Sequence, residues 1–442
     1  MANCVEEAPA IVVTKILSYL SWNEKLNATQ ALPSWKSHLH TSAAWPLVQH
    51  GSEGEENVYF VKEKRAHLLI CLKIYGKYIR HIDLAFGYNT GRSGLQILNA
   101  IANFCPNLLS FRFAPHESPV PHTLPETTLT KSHVLATCSI LSNCKHLNEV
   151  GIISPIISWS HAAETNLLLG LCCANVAHKI TELELFSGSL LDHEGYLKLL
   201  REFTGVKKLM VRREKVNNEI LLGLVKNGLQ EITLYQDEEL PLVDAQQLGE
   251  KFWNDVLKIN SNFKVDLILQ YILVIKDSFI TNMPLRSLVL DDLVNIVTKG
   301  VIDHLVTHYS ESLESFTYTN LYLENFESGD SRLPAALVTM VKKCKHLHTL
   351  KYGFPLSSTS VLLIAKARKL RELIIPAVEV SYEFDWEIQE DWDDDFRQWL
   401  TNNCKSEALL ENSVSELLGF EWHLFYEHFN YMTFGRNLCL NL

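Results

Sequence analysis

Ten cysteines are the residues of this sequence best suited to chemistry, as nucleophiles, metal ligands or disulfide partners. They are scattered, with no CxxC pair and no histidine at the spacing of a structural zinc site. Three of them, Cys105, Cys144 and Cys344, precede similar short apolar segments, a position that favours a small buried side chain at a recurring corner. We therefore expect reduced structural thiols rather than a zinc site or a catalytic thiolate.

An acidic, aromatic run at residues 383–395 is the second group that could do chemistry. It holds eight carboxylates and two tryptophans, Trp386 and Trp392, and Trp399 follows. The run could recognise a basic segment through charge and cation–π contacts. Alternatively, the carboxylates surround a helix N-terminus and the tryptophans cap the last element, which is the interpretation we favour. A calcium site is disfavoured because neither glycine nor EF-hand spacing accompanies the acids.

Catalytic motifs are otherwise missing from the sequence, which has no nucleophile elbow, no phosphate-binding glycine loop and no HExxH. His193-Glu194 is an isolated pair at a predicted helix start and is more typical of a surface than of an acid–base dyad. We expect a chain that is not an enzyme and that needs no cofactor.

The charge balance, 51 acidic against 40 basic residues for a net charge of −11, opposes nucleic-acid binding, which requires clustered cations. Near the N-terminus, Glu6 and Glu7 precede an apolar stretch too short and too interrupted for a signal peptide or a membrane span. We expect a protein of the cytoplasm, the nucleus or both, with no membrane partner.

Residues 8–48 have the pattern of three short amphipathic helices. The first carries Val12, Val13, Ile16, Leu17 and Leu20, the second runs from Glu24 through Leu26 to Ala31, and the third carries Trp35 and Leu39, with Trp45 closing the unit. A unit of this size buries too little apolar surface to be stable alone. With disulfides and metals disfavoured, the sequence predicts a protein partner on the first helix.

The order and spacing of Pro9, the Ile16-Leu17-x-x-Leu20 step, Leu26, Trp35, Leu39 and Trp45 resemble the F-box pattern. The resemblance implies docking on the Skp adaptor of a cullin-RING ubiquitin ligase. The adaptor contacts that it implies are Pro9, Ile11, Val12, Ile16, Leu17, Leu20, Leu26 and Trp35. Ala8, Ile11 and Pro33 depart from the pattern, and an unrelated three-helix cap on a repeat array is the alternative.

A short pattern, apolar-x-x-apolar-x-apolar, recurs eleven times at intervals of 22 to 39 residues. It begins at Ile79, Leu108, Leu147, Ile180, Val206, Leu229, Phe263, Leu285, Leu313, Leu347 and Leu370. Helical stretches lie between these segments, at 95–104, 134–141, 196–203, 220–225, 301–306 and 335–341. Strand followed by helix at such a period predicts a solenoid.

An F-box followed by degenerate repeats resembles the F-box/leucine-rich-repeat family, over nearly the whole chain. The expected fold class is an α/β repeat, with a short N-terminal three-helix F-box followed by a degenerate leucine-rich-repeat solenoid of parallel strands backed by helices. The expected divisions are the F-box at 1–50, a linker or surface loop at 51–60, the solenoid at 61–380, and an acidic, aromatic-rich C-terminal cap at 381–442.

The resemblance implies the substrate-recognition subunit of a Skp-cullin-F-box ubiquitin ligase, which holds an unidentified protein substrate near the ligase. Strand alternation places every second side chain on an outward face, the surface that solenoids use for binding. The substrate contacts expected there are Glu184, Phe186, Arg212, Tyr235, Asp291 and Lys351. The alternative is a leucine-rich-repeat interaction scaffold that is not coupled to a ligase.

Overall fold

The computed structural model describes residues 8–50, 58–86, 91–115, 131–153, 172, 175–186, 198, 200–236, 248–270, 279, 281–291, 297–319, 331–386 and 392–426. The chain divides into two compact units, Met1–Ile232 and Thr233–Leu442, which are described separately.

The first unit begins with two short α-helices, α1 (Ala10–Tyr19) and α2 (Trp22–Ala31). A capping box starts α2, because Ser21 and Glu24 exchange side-chain to backbone hydrogen bonds of 3.3 and 2.7 Å. The third predicted helix is instead a 3₁₀ helix, Pro33–His40, with proline in its first turn, where a missing N–H is tolerated.

Buried side chains hold this helical region together and join it to the next helix, α3 (Val58–Tyr75). Trp45 is fully buried, donates a 2.7 Å hydrogen bond to the Leu39 carbonyl, and stacks on Tyr75 at 5.2 Å between ring centroids. The wholly buried Lys25 ammonium donates to the Leu20 carbonyl at the end of α1 and lies 5.4 Å from the Trp45 ring. Burial lowers the pKa of Lys25 to about 8.

A parallel sheet, with its strands in chain order, forms the rest of the first unit. Its strands are β1 (Val48–His50), β2 (His81–Phe86), β3 (Ser110–Pro115), β4 (Glu149–Ile153), β5 (Glu182–Phe186) and β6 (Lys208–Arg212). The connecting helices are α3, α4 (Gly91–Phe104), α5 (Lys131–Asn143) and α6 (Asn218–Lys226). Strand β7 (Glu231–Gln236) begins in this unit and ends in the second.

The second unit repeats the same design. Strands β8 (Lys264–Gln270), β9 (Leu285–Asp291), β10 (Ser315–Thr319), β11 (Thr349–Tyr352) and β13 (Glu372–Ile374) are parallel neighbours, and β12 (Leu356–Ser357) pairs with β14 (Val380–Ser381). The helices are α7 (Glu250–Ile259), α8 (Lys299–Tyr309), α9 (Leu333–Lys343), α10 (Ser358–Ala367), α11 (Asp394–Asn403) and α12 (Glu407–Leu418).

Each of the eleven predicted apolar segments forms a strand, and their inward side chains stack in register. One buried row runs Ile82, Phe111, Val150, Leu183, Leu209 in the first unit, and another runs Leu267, Leu288, Phe316, Leu350, Leu373 in the second. The predicted α/β class, with a parallel sheet and intervening helices, is confirmed.

Two elements differ from the predicted divisions. Strand β1 lies inside the segment assigned to the helical domain, and α3 begins at Val58, inside the segment 51–60 assigned to a linker. Residues 51–57 of that linker, residues 196, 197 and 199 of the predicted helix at 196–203, and the His193-Glu194 pair lie outside the described residues.

Candidate functional site

The first candidate surface is one side of α1. Val13 and Leu17 turn inward and are buried, whereas Ile11, Val12, Ile16 and Tyr19 are 79, 44, 40 and 76% exposed. At 100° per residue, these four side chains and Lys15 occupy one continuous face of the helix. Apolar residues on both sides of this short helix leave an exposed apolar patch on its outer side, a feature typical of interaction surfaces.

The eight residues predicted to contact an adaptor separate into two groups. Pro9, Ile11, Val12 and Ile16 are exposed, and Leu20 and Leu26 are half-buried. Leu17 and Trp35 are 0 and 5% exposed, so these two side chains pack inside the helical region and do not face a partner. Tyr19 was missed, although it lies three residues after Ile16 and seven after Val12, on the same face.

The second candidate surface is the outward face of the sheet in the first unit. Arg112 on β3 and Glu184 on β5 pair across the strand between them, with Arg112 Nε and Nη2 donating to the carboxylate at 3.1 and 2.8 Å. The residue in register between them on β4 is Gly151. A Cβ at this position would lie 2.6 Å from Glu184 Oε2 and 3.0 Å from Arg112 Cγ, so the pair requires glycine there.

Further charges surround this pair. Burial raises the pKa of Glu184, and Arg112 opposes the rise, while the neighbouring carboxylates Glu182 and Asp83 add to it. Lys208 lies 3.1 Å from Glu182, and the buried Arg212 donates to Glu214. Glu182, Glu184 and Glu214 therefore each lie beside at least one cation.

The corresponding face of the second unit is paired in the same way. Lys351 lies 2.9 Å from Glu372, and Thr319 donates a 2.8 Å hydrogen bond to Asp291. Tyr235 donates to Gln270, and Arg286 binds Asp266 through two nitrogens.

The six predicted substrate contacts lie on outward strand positions, three in each unit. Glu184, Asp291 and Lys351 are partly exposed and paired with neighbours, and the side chain of Phe186 lies outside the described part of the structure. Arg212 and Tyr235 are only 5 and 2% exposed, so their side chains are covered and a partner cannot reach them without rearrangement. Strand alternation alone does not indicate that these two positions are buried.

The three cysteines at the corners between a helix and the next strand are protected by burial. Cys105, Cys144 and Cys344 are buried, and burial raises the pKa of each, to about 11 for Cys144 and Cys344. These thiols are therefore protonated near neutral pH, and their burial is as predicted from their positions. Among the described residues, no three potential metal ligands come together, and no helix has the length and hydropathy needed to cross a membrane.

No family model matches the sequence, and no curated protein sequence is similar to it.

Proposed function

We propose that this chain is the substrate-recognition subunit of a Skp-cullin-F-box ubiquitin ligase. The observation that carries the proposal is the exposed apolar side of α1, in a helical region whose sequence resembles the F-box. In F-box proteins the first helix and the proline-containing stretch before it bind the Skp adaptor, and here Pro9, Ile11, Val12 and Ile16 are the exposed residues of that part.

Burial of this face by a partner would contribute apolar transfer free energy to the complex. Each apolar side chain that a partner covers completely contributes about 1.5–3 kcal/mol. Ile11, Val12, Ile16 and Tyr19 together therefore supply a core of the kind that dominates protein–protein interfaces.

In the proposed mechanism, the outward sheet faces hold a protein target and another subunit supplies the transfer chemistry. The chain acts through proximity, because a tethered target presents its lysines at a high effective concentration. The raised pKa values of the buried corner thiols support a receptor without a catalytic cysteine at those positions.

Co-purification of a Skp adaptor with the intact chain tests the proposal. Ile16→Asp should abolish binding, because it places a charge in an apolar interface, yet the side chain is 40% exposed and the variant should still fold. Gln30→Asp, at an exposed position of α2, is the matched control and should bind like the wild type. Far-ultraviolet circular dichroism of all three chains verifies folding.

Stoichiometric binding that is lost only in Ile16→Asp would support the receptor function. Failure of the intact chain to bind any Skp adaptor would contradict it, and would leave a repeat scaffold that is not coupled to a ligase.

A further inference from the structure

The negative charge of the chain is concentrated near its C-terminus. Residues 383–426 hold twelve acidic side chains against two basic ones, Arg397 and Lys405, a net charge of −10 out of −11 for the whole chain. The remainder of the chain is nearly neutral. An excess of this size over so short a stretch produces a strong local field.

Part of this charge stabilises α11. Asp393 is the N-cap and accepts a 2.7 Å hydrogen bond from the Phe396 backbone N–H, and Asp394 and Asp395 lie in the first turn. This is the arrangement favoured from the sequence, but it accounts for only some of the carboxylates. Within the described part of the chain, Glu383, Asp385 and Asp395 are exposed and form no ion pair.

Aromatic rings form a row among these carboxylates. Trp386, Trp392, Phe396 and Trp399 follow one another with centroid separations of 6.3, 5.5 and 5.8 Å. Trp392 is buried, and the other three rings are partly exposed. The row is anchored, because Trp386 Nε1 donates a 2.8 Å hydrogen bond to Ser360 on α10.

The two features lie together in the chain. Asp385 precedes Trp386 in the chain, and Asp395 lies one helical turn before Trp399, so the Asp395 carboxylate and the Trp399 ring share one side of α11. A cation that approaches this side meets both an unpaired carboxylate and the face of an aromatic ring, the two groups that attract it most strongly.

We propose that this aromatic row and its carboxylates, hereafter the acidic aromatic surface, bind an extended protein segment rich in lysine and arginine. Charge complementarity selects this occupant, since the surface carries a large excess of negative charge and its apolar groups are ring faces rather than aliphatic side chains. A basic segment in extended form places successive cations along the row. This interaction does not depend on the adaptor and would exist in a scaffold as well as in a ligase subunit.

The probe is a fluorescein-labelled synthetic peptide with roughly eight lysines and arginines interspersed with glycine and serine. Fluorescence anisotropy with the full chain should give saturable binding that weakens steeply with salt, because the contacts are between exposed charges. A peptide of the same length with glutamates in place of the cations should not bind.

Two variants test the location. The triple variant Glu383→Gln, Asp385→Asn, Asp395→Asn and the single variant Trp399→Leu should each weaken binding at least about tenfold. The matched control, Glu202→Gln, Glu219→Gln, Glu311→Gln, removes the same charge from exposed positions elsewhere and should bind like the wild type. Thermal unfolding midpoints show that each variant is folded.

Equal weakening in the control triple variant would overturn the proposal, because binding would then follow net charge alone. It would also be overturned if the intact chain did not bind the peptide, or if isothermal titration showed Ca²⁺ alone binding at this surface and displacing it. Retained co-purification of the Skp adaptor by the triple variant would separate this interaction from the proposed function.

Discussion

Gly151 allows Arg112 and Glu184 to pair on the outward sheet face of the first unit, because it has no side chain. Arg112 and Glu184 lie on strands that are not neighbours, and they meet only across the empty position on β4 between them. In the sequence, a glycine inside a strand pattern indicates close approach of other groups, but not which ones. The long-range pairing requires the register, which alternation alone does not give.

Replacement of Gly151 by alanine should destabilise the protein by about 1–3 kcal/mol. The added methyl group would overlap the Glu184 carboxylate and separate it from Arg112, which leaves two partly buried charges poorly paired. Urea denaturation followed by circular dichroism measures the change.

Gly223→Ala is the matched control, since nothing lies within 4 Å of a Cβ there and the residue is inside α6. It should be neutral or stabilise the helix by about 0.5–1 kcal/mol. Equal stabilities of the Gly151→Ala and wild-type chains would show that the Arg112–Glu184 pair does not depend on the glycine.

At the scale of elements, the eleven strands with the recurring pattern were predictable, whereas β1, β12, β14 and some of the helices were not. Each of the eleven segments has two or three inward apolar residues at fixed spacing, and burial of those residues enforces the pattern. Strand β1 has only three residues, too few for a period, and α3 carries exposed Ile70 and Ile74, which blur its apolar stripe. The third helical stretch, which begins at Pro33, forms a 3₁₀ helix.

Contacts between neighbouring repeats also could not be predicted from sequence patterns, and those of Arg368 are an example. Its Nε donates a 3.0 Å hydrogen bond to the Val341 carbonyl, and its Nη1 a 2.7 Å hydrogen bond to the Lys345 carbonyl. A cation at this position satisfies carbonyls at the end of α9 and interacts favourably with the helix dipole. An arginine four residues before a strand carries no sign of this role.

Arg368→Met should therefore destabilise the chain by about 1–3 kcal/mol, because it keeps the aliphatic stem but leaves those carbonyls without a donor. Arg371→Met, at a nearby exposed position, should change stability little. The free energies of unfolding of the two variants in urea make the comparison. A loss in Arg371→Met as large as that in Arg368→Met would indicate a general effect of charge.

At the scale of the whole molecule, one corner recurs along the chain. Cys105, Cys144 and Cys344 each follow a helix and donate a backbone hydrogen bond of 2.8–3.0 Å to a carbonyl in its last turn. The three sites lie in both units, and each cysteine side chain is buried. The recurrence was visible in the sequence, as was the acidic run at 383–395, whereas the ring contacts that arrange its aromatic side chains in a row required the structure.

Native-state thiol labelling checks these corners together. Iodoacetamide followed by mass spectrometry should modify Cys138, which is partly exposed, much faster than Cys105, Cys144 or Cys344. Burial blocks access and raises the pKa of the three corner thiols, so little reactive thiolate forms. In concentrated urea all four should react at similar rates. Comparable rates at Cys105 and Cys138 in the folded chain would contradict the buried corner.

The short strand β1 has a mechanical consequence. β1 pairs in register with β2. Three residues earlier in the chain, Trp45 is buried and stacks on Tyr75 of α3. The helical region and the sheet of the first unit are therefore joined by backbone hydrogen bonds and by a shared core. A joint with both backbone hydrogen bonds and a shared core opposes hinge motion between α1 and the outward sheet face. For a target held on that face, the separation between the face and α1 would determine which of its surface lysines the ligase could modify.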